Sequence, residues 1–332
     1  LPPGSSPPQF LAQFSMKSVS HEKLAIKSVS NDSSSNSYRS FLQTLFFGWR
    51  LISYFQHDQK FHGNKNDSEV DLKKALKLSG KKKVMAALGI ESAWQKYGLG
   101  NNSITVAVID SGIEYNNKDL RGGIAGKGYD FISGDDRAYD EHGHGTRIAN
   151  LIAARGKRKE IGVAPRTRIL PLKIFSPYGE TNSASILAAF KMAVDQGARI
   201  IVAAWASEND AQAIRDGVRY ARDHDVLVVA SAGDQKFNIG AKLQYPAALN
   251  DEFGNVLTVG GAGSSKAGKD VEFEVPVDRA DDAAGLVAGV ASLGLEICPK
   301  LTAAELRKLI QGTETKAEFA LKALDQINQV CK

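Results

Sequence analysis

Two short polar motifs contain residue types that can perform acid–base chemistry. Asp110 directly follows an apolar run, residues 104–109, and His144 lies in the sequence Asp140-Glu-His-Gly-His-Gly-Thr146. A carboxylate beside a histidine fixes the tautomer of the ring and stabilises its protonated form, which is the arrangement a general base requires. We therefore predict that Asp110 orients His144 and that His144 is the base of a catalytic site.

The segments around these motifs must place both residues at one edge of a sheet. From about residue 89 onward, short apolar runs alternate with amphipathic segments, a pattern typical of buried parallel strands and the helices that cover them. Predicted strands cover Ile104–Ile109, Ile169–Ile174, Ile200–Ala204, Val226–Ala230 and Val256–Val259. Predicted helices cover Gly145–Ala154, Ser183–Gln196, Ala211–Asp223, Ala283–Leu295 and Ala303–Ile310. The sequence thus predicts an α/β fold with a doubly wound, mostly parallel sheet, helices on both faces and a site at the carboxyl edge.

The chain divides into three predicted parts. Residues 1–40 are rich in Pro, Ser and Asn and are expected to form a flexible linker, because they offer too little apolar surface to offset chain entropy. Residues 41–88 carry two helical patterns and are expected to form a helical extension. Residues 89–332 are expected to form the α/β domain. The aromatic-rich stretch Phe41 to Phe55 is too short to span a bilayer.

Charge and cysteine content narrow the choice of compartment and partners. The net charge is +5, and six lysines lie between Lys73 and Lys83. This stretch is expected to be a solvated helix face, with attachment to nucleic acid or an anionic membrane as the weaker alternative.

The chain has only two cysteines, Cys298 and Cys331, which favours a reducing, cytoplasmic compartment, with a single disulfide as the alternative.

The region from about Ala93 onward resembles the subtilisin-like serine proteases, or subtilases. The aspartate motif of that family matches Val106-Ala-Val-Ile-Asp-Ser-Gly-Ile113, and its histidine motif matches Asp140-Glu-His-Gly-His-Gly-Thr-Arg-Ile-Ala149. The resemblance implies that Asp110 and His144 are two members of a Ser-His-Asp triad and that a peptide or protein is the substrate or partner. It implies no organic cofactor. Many subtilases bind calcium, but no acidic cluster here matches a ligand pattern well enough to be assigned.

Two further family segments depart from the usual pattern. Val228-Val-Ala-Ser-Ala-Gly-Asp234 resembles the oxyanion segment, but Asp234 stands where the family usually has Asn. An ionised carboxylate there would repel the developing oxyanion, and loss of one such donor costs about 100- to 1000-fold in rate. A protonated Asp234 can still donate, and some subtilases carry Asp here, so this change alone does not exclude activity. The substrate-binding strand ends in Ala204-Trp205-Ala206, where the extra methyl of Ala206 and the ring of Trp205 put peptide binding in doubt. Packing of Trp205 into the core is the favoured alternative for that residue.

The serine motif is the largest departure. Its downstream helix matches Ala283-Ala-Gly-Leu-Val-Ala-Gly-Val290, and the two possible alignments put either Asp281 or Val277 at the nucleophile position. Neither side chain carries a hydroxyl or a thiol. The segment between Asp234 and this helix is also shorter than in the family, as if the nucleophile loop were missing.

Two hypotheses follow from the missing nucleophile. The first is a pseudoprotease, a degenerate subtilase that keeps its scaffold for binding or regulation and is inactive. The second is a serine endopeptidase whose nucleophile-bearing segment is missing from the chain. The pairing of Asp110 with His144 favours the second, and the combined departures at Asp234, Ala206 and the serine motif favour the first.

Overall fold

A computed structural model of the protein describes residues 83–233, 243–261, 273–313 and 318–332. The strands in these ranges are β1 (Thr105–Asp110), β2 (Tyr129–Asp130), β3 (Arg168–Lys173), β4 (Ile200–Ala203), β5 (Leu227–Ser231), β6 (Val256–Gly261) and β7 (Phe273–Val275). They form one sheet in the order β2-β3-β1-β4-β5-β6-β7, and every neighbouring pair is parallel. All carboxyl ends of the strands therefore lie at one edge of the sheet.

Helices cover both faces of this sheet. They are α1 (Lys83–Ala87), α2 (Ile90–Tyr97), α3 (His144–Ala153), α4 (Ser183–Asp195), α5 (Gln212–Asp223), α6 (Ala280–Ile297), α7 (Ala303–Gln311) and α8 (Phe319–Cys331). Helices α4 and α5 pack together, while α6 packs against α3, α8 and the strands β4, β5 and β6. The predicted fold class is confirmed, with a parallel sheet inside two helical layers.

Burial explains why the central strands are continuous apolar runs. All six residues of β1 are buried, because β3 and β4 flank it in the sheet and helices pack above and below. Helix α6 is almost as enclosed, and its small residues allow close contact with neighbouring elements. A side chain at Gly289, for example, would collide with Val163. A helix this apolar is typical of the centre of a domain rather than its surface.

Most predicted elements are confirmed to within one or two residues, and two differences matter. The short strands β2 and β7 were not predicted, because two or three residues are too few to show a periodic pattern. Helix α6 begins at Ala280 instead of Ala283, so Asp281 and Asp282 lie in its first turn. Carboxylates are favoured there, since the amino end of a helix carries a partial positive charge.

Several predictions fall on residues 1–82, which lie outside the described part of the chain. These are the linker, nearly all of the helical extension and the lysine stretch up to Lys83. The three-part division therefore stays a prediction, although Met85 and Leu88 are already part of the core of the α/β domain. Within the described residues, no helix is both long enough and apolar enough to cross a membrane.

The two cysteines are joined, which corrects the expectation of reduced thiols. Cys298, directly after α6, forms a disulfide with Cys331 at the end of α8, and the Cα atoms lie 5.6 Å apart. Helix α8 packs on α6, and Ile327 lies directly against Gly294. The two cysteines meet because this packing brings the carboxyl ends of both helices together, which the sequence does not reveal.

We predict that the disulfide contributes substantially to stability. Its 33-residue separation gives about 4 kcal/mol from the lost entropy of the unfolded chain. Unfolding by urea with and without a reductant measures this contribution. The reductant should lower the stability of the wild type and leave a Cys298→Ala/Cys331→Ala double variant unchanged. Equal stability of the oxidised and reduced wild type would contradict the prediction.

Candidate active site

The structure brings the two predicted acid–base residues together. Asp110 is the last residue of β1, and His144 is the first residue of α3. The Nδ1 atom of His144 lies 2.8 Å from Oδ1 and 3.0 Å from Oδ2 of Asp110. The close approach requires Gly145, because a side chain there would collide with the backbone of Gly112 just after β1. The glycine after the histidine is therefore part of the geometry that joins strand and helix.

A buried carboxylate that the sequence analysis did not single out organises the histidine loop. Asp140 accepts hydrogen bonds from the Ser111 hydroxyl at 2.8 Å and from the backbone of Gly143 at 2.7 Å. It also accepts from the backbone and hydroxyl of Thr146, at 2.9 and 2.5 Å. Burial opposes ionisation of Asp140, but these hydrogen bonds outweigh burial and lower its pKa. Asp140 thus pairs with backbone donors at the start of α3 and fixes the backbone that carries His144.

The opposite side of the His144 ring faces a second carboxylate. Its Nε2 atom lies 2.8 Å from Oδ2 of Asp281, in the first turn of α6. Asp281 is only 5% exposed, so it is enclosed by its partners rather than open to solvent. Two arginines share the same oxygen, with Nη2 of Arg147 at 2.7 Å and Nη2 of Arg279 at 2.5 Å. Arg147 also pairs with Asp282.

These contacts set the charge of the site. Burial of the His144 ring opposes its protonation, but the hydrogen bonds to Asp110 and Asp281 outweigh burial and raise the pKa of His144 to about 9. Burial also disfavours the charged form of Asp281. Hydrogen bonds from His144 and Arg279, together with the charge of Arg147, nevertheless hold the pKa of Asp281 well below its usual range. At neutral pH the ring is an imidazolium between two carboxylates.

This protonation state limits what the site can do. A general base needs a free nitrogen lone pair on the side of the nucleophile, and a protonated His144 has none. Within the described residues, its Nε2 atom has no hydrogen bond to a serine, threonine or cysteine. Ser231 and Ser292 are both buried, and the hydrogen-bond partners of their hydroxyls are other than the ring. Ser231 lies in β5, and the hydroxyl of Ser292 is 2.6 Å from Thr167.

The other predicted site residues that the structure describes are not members of this ion cluster. The side chain of Val277 packs against the hydrophobic core, so of the two alignments it is Asp281 that the structure puts opposite His144. Trp205 is half-buried, and its Nε1 donates to the carbonyl of Ile109 at 2.9 Å. Ala204 is buried and Ala206 is exposed. Asp234, the predicted oxyanion residue, lies outside the described residues.

No metal centre is evident in the parts of the chain that the structure describes. No group of three or more His, Cys, Asp or Glu residues there is arranged to hold an ion. His142, the other histidine of the motif, is exposed, and its ring lies edge-on to that of His144 with centroids 6.2 Å apart. Its backbone N–H donates to Asp140 at 3.0 Å.

Comparison with known proteins agrees with this architecture. A model of the subtilase family matches residues 101–273, just over half of the 332 residues. The Major intracellular serine protease of Bacillus subtilis (strain 168) is 30% identical over 244 residues, which cover 68% of this chain and 69% of that protein. The chain therefore belongs to the subtilase family. The family match ends before α6, so Asp281 lies beyond the matched residues.

Other relatives are matched over a smaller part of their length. The Thermophilic serine proteinase of Bacillus sp. (strain AK1) is 32% identical over 163 residues, and the chain spans 39% of it. The chain spans 28% of the Minor extracellular protease Epr of Bacillus subtilis (strain 168). Among solved structures, a lanthipeptide protease superposes with a TM-score of 0.61 at 22% identity, covering 76% of this chain and 98% of that one. Similarity at this level of identity shows the fold alone.

We predict that His144 titrates near pH 9 and that Asp281 contributes to the high value. The imidazolium is stabilised by folding, so its contribution is complete below pH 6.5 and is lost as the pH rises through about 9. A shift of this size corresponds to about 3 kcal/mol. The titration of the ring protons by NMR measures the pKa directly. Unfolding experiments from pH 6 to 10 should show the parallel loss of stability.

The variant Asp281→Asn should move the pKa of His144 down toward 6.5, because one of the two carboxylates is removed. Asp282→Asn is the matched control, since Asp282 adjoins Asp281 and pairs with Arg147 but not with the ring. That control should leave the midpoint close to the wild-type value. A wild-type midpoint near 6.5, or one that does not respond to Asp281→Asn, would contradict the ion cluster.

Proposed function

We propose that this chain is a pseudoprotease, a subtilase that keeps the fold and the Asp–His pair but does not hydrolyse peptide bonds. The observation that carries the proposal is the contact between Nε2 of His144 and the carboxylate of Asp281. In a serine protease that nitrogen receives the proton of the attacking hydroxyl. Here it donates its own proton to a carboxylate, and the position of the nucleophile is taken by an acid.

The chemistry of Asp281 supports inactivity. Its carboxylate is held by Arg147 and Arg279, and these charge-assisted hydrogen bonds withdraw the electron density that an attack would need. It is almost fully buried, so a substrate carbonyl has no direct approach. Without a nucleophile, turnover in a triad enzyme falls by about a million-fold. Any remaining hydrolysis would be negligible.

The proposed role is binding of a peptide or protein partner. Support comes from the end of strand β4, which lies at the carboxyl edge of the sheet beside β1 and Asp110. Ser207, just after this end, exchanges two backbone hydrogen bonds with Tyr245, at 3.0 and 2.8 Å, which orders the segment. Trp205 is held by the carbonyl of Ile109 and by an edge-on contact with Phe175, whose ring centroid is 6.0 Å away. A surface ordered in this way can bind a partner without cleaving it.

A second candidate function is a serine endopeptidase whose nucleophile segment is missing from the chain. The observation that favours it is the Asp110–His144 hydrogen bond, which has the geometry an active protease needs. Sequencing the gene and transcript across codons 263–283 separates the two candidates. A transcript that encodes an additional Gly-Thr-Ser-x-Ala stretch would support the endopeptidase and contradict the pseudoprotease proposal.

We predict that a phosphonylating probe for active-site serines will not label the protein. Labelling needs a serine whose proton His144 can accept, and no such residue contacts the ring among those described. The measurement is probe incorporation by mass spectrometry at pH 8 and pH 10, with an active subtilisin as the positive control. His144→Ala is the matched negative control, and its background should equal that of the wild type. Wild-type labelling that disappears in His144→Ala would show an active serine and overturn the proposal.

A further inference from the structure

The loop before β1 contains a short motif that is separate from the aspartate and histidine motifs of the subtilases. Asn101-Asn102-Ser103 has the form Asn-x-Ser with x other than proline, which is the acceptor motif for N-linked glycosylation. Because the motif is short, the exposure of its asparagine and the compartment of the protein decide whether it is glycosylated. All three residues are exposed. Two other motifs of this form, at Asn31 and Asn66, lie outside the described residues.

The local geometry presents the side chain of Asn101 to solvent. Its Oδ1 accepts a hydrogen bond from the backbone N–H of Ser103 at 2.9 Å, which closes a tight turn around Asn102. Asn102 has a φ of 65°, a conformation that asparagine tolerates better than most residues. The carboxamide nitrogen of Asn101 makes no hydrogen bond to any described residue. The atom that would carry a glycan is thus exposed and available.

A carboxylate of helix α6 holds this turn in place. The backbone N–H of Asn101 donates to Oε2 of Glu296, near the end of α6, at 2.9 Å. Gly100, with a φ of 89°, allows the approach, because a side chain there would collide with the same carboxylate. The turn is therefore fixed by its backbone, while the side chain of Asn101 stays outside. A glycan would be attached to a rigid position without disturbing the packing beneath it.

The compartment is indicated by a different part of the chain. The disulfide between Cys298 and Cys331 joins α6 to α8, far from Asn101 in sequence. Disulfides form and persist in the endoplasmic reticulum and outside the cell, and they are rare in a reducing cytosol. The lumen that oxidises cysteines is also the place where asparagine is glycosylated. The exposed motif and the disulfide are thus independent indications that the protein passes through the endoplasmic reticulum.

The position of the turn is compatible with the site of the proposed function. Asn101 precedes the amino end of β1, whereas Asp110 is at its carboxyl end. The six residues of β1 span roughly 20 Å at about 3.3 Å per residue. A glycan on Asn101 would project from the opposite edge of the sheet and leave the His144 side open.

We propose that Asn101 is a site of N-linked glycosylation. The co-reactant is an oligosaccharide linked to a polyprenyl pyrophosphate. The carboxamide nitrogen of Asn101 forms a bond to the anomeric carbon of the sugar, the bond from that carbon to the pyrophosphate oxygen breaks, and one amide proton is released. The reaction involves no change in oxidation state.

The test is expression of the full chain, behind a cleavable secretion leader, in a eukaryotic cell line. The secreted protein is treated with a glycosidase that converts glycosylated Asn to Asp in heavy-oxygen water, and the peptide containing Asn101 is analysed by mass spectrometry. The wild-type peptide should carry the heavy-oxygen label. Asn101→Gln and Ser103→Ala should each lose it, because they remove the acceptor nitrogen and the required hydroxyl, respectively.

Two matched variants keep the motif and should keep the label. Asn102→Gly preserves the positive φ, and Ser103→Thr preserves the hydroxyl. Thermal unfolding of all variants identifies any that fail to fold. Asn101 that remains unmodified in the folded, secreted wild type would overturn the proposal, whether or not Asn31 and Asn66 are modified. Loss of the label in Asn102→Gly and Ser103→Thr, with both proteins folded, would equally contradict it.

Discussion

The arrangement of this site depends on one interaction, the imidazolium of His144 held between two carboxylates. Asp110 contributes the first from the end of β1, and Asp281 contributes the second from the start of α6. The histidine itself begins α3. A single ring thus joins the central strand to two helices that pack on each other. Because Asp281 is almost fully buried and the ring of His144 is partly buried, the raised pKa of His144 and the lowered pKa of Asp281 depend on their contact with each other.

The wider cluster balances its charges. Asp110, Asp281 and Asp282 carry the negative charges, and His144, Arg147 and Arg279 carry the positive ones. Removing Asp110 or Asp281, which are almost fully buried, leaves the imidazolium of His144 without one of its paired charges, which costs more than the net value of the pair. In a protease the corresponding site must tolerate a change of charge at each catalytic step. A neutral ion cluster in which the ring is paired on both sides resists such changes, so the physical basis of its stability is also the basis of its proposed inactivity.

The sequence predicts the parts of the site that are local in the chain. Asp110 directly follows an apolar run that predicts a buried strand. The glycines on either side of His144 predict a tight turn at the start of a helix. The alignment through the α6 segment leaves both Asp281 and Val277 open as the third position. Only the start of α6 at Ala280, three residues earlier than its apolar pattern suggests, brings Asp281 to the ring.

Other features of the site depend on contacts between distant segments. The two arginines on Asp281 come from α3 and from the residue just before α6. Arg147 lies within the histidine motif and Arg279 lies outside the motifs, but nothing in the sequence around either residue indicates that its side chain reaches Asp281. The hydrogen bonds of Asp140 depend on the fold of the histidine loop, because Asp140 precedes Gly143, the N-cap of α3, by three residues and still reaches the backbone of Thr146. The pairing of Cys298 with Cys331 depends on how α8 packs on α6 and leaves no sign in the spacing of the cysteines.

A crystal structure of the full chain, solved at a resolution that separates side-chain atoms, tests the central claim most directly. The distance that matters joins Nε2 of His144 to its nearest neighbour. The account predicts a carboxylate oxygen of Asp281 at hydrogen-bond distance, near the 2.8 Å found here, with both arginines on the same residue. A serine, threonine or cysteine side chain in that position, with Asp281 turned away from the ring, would contradict it.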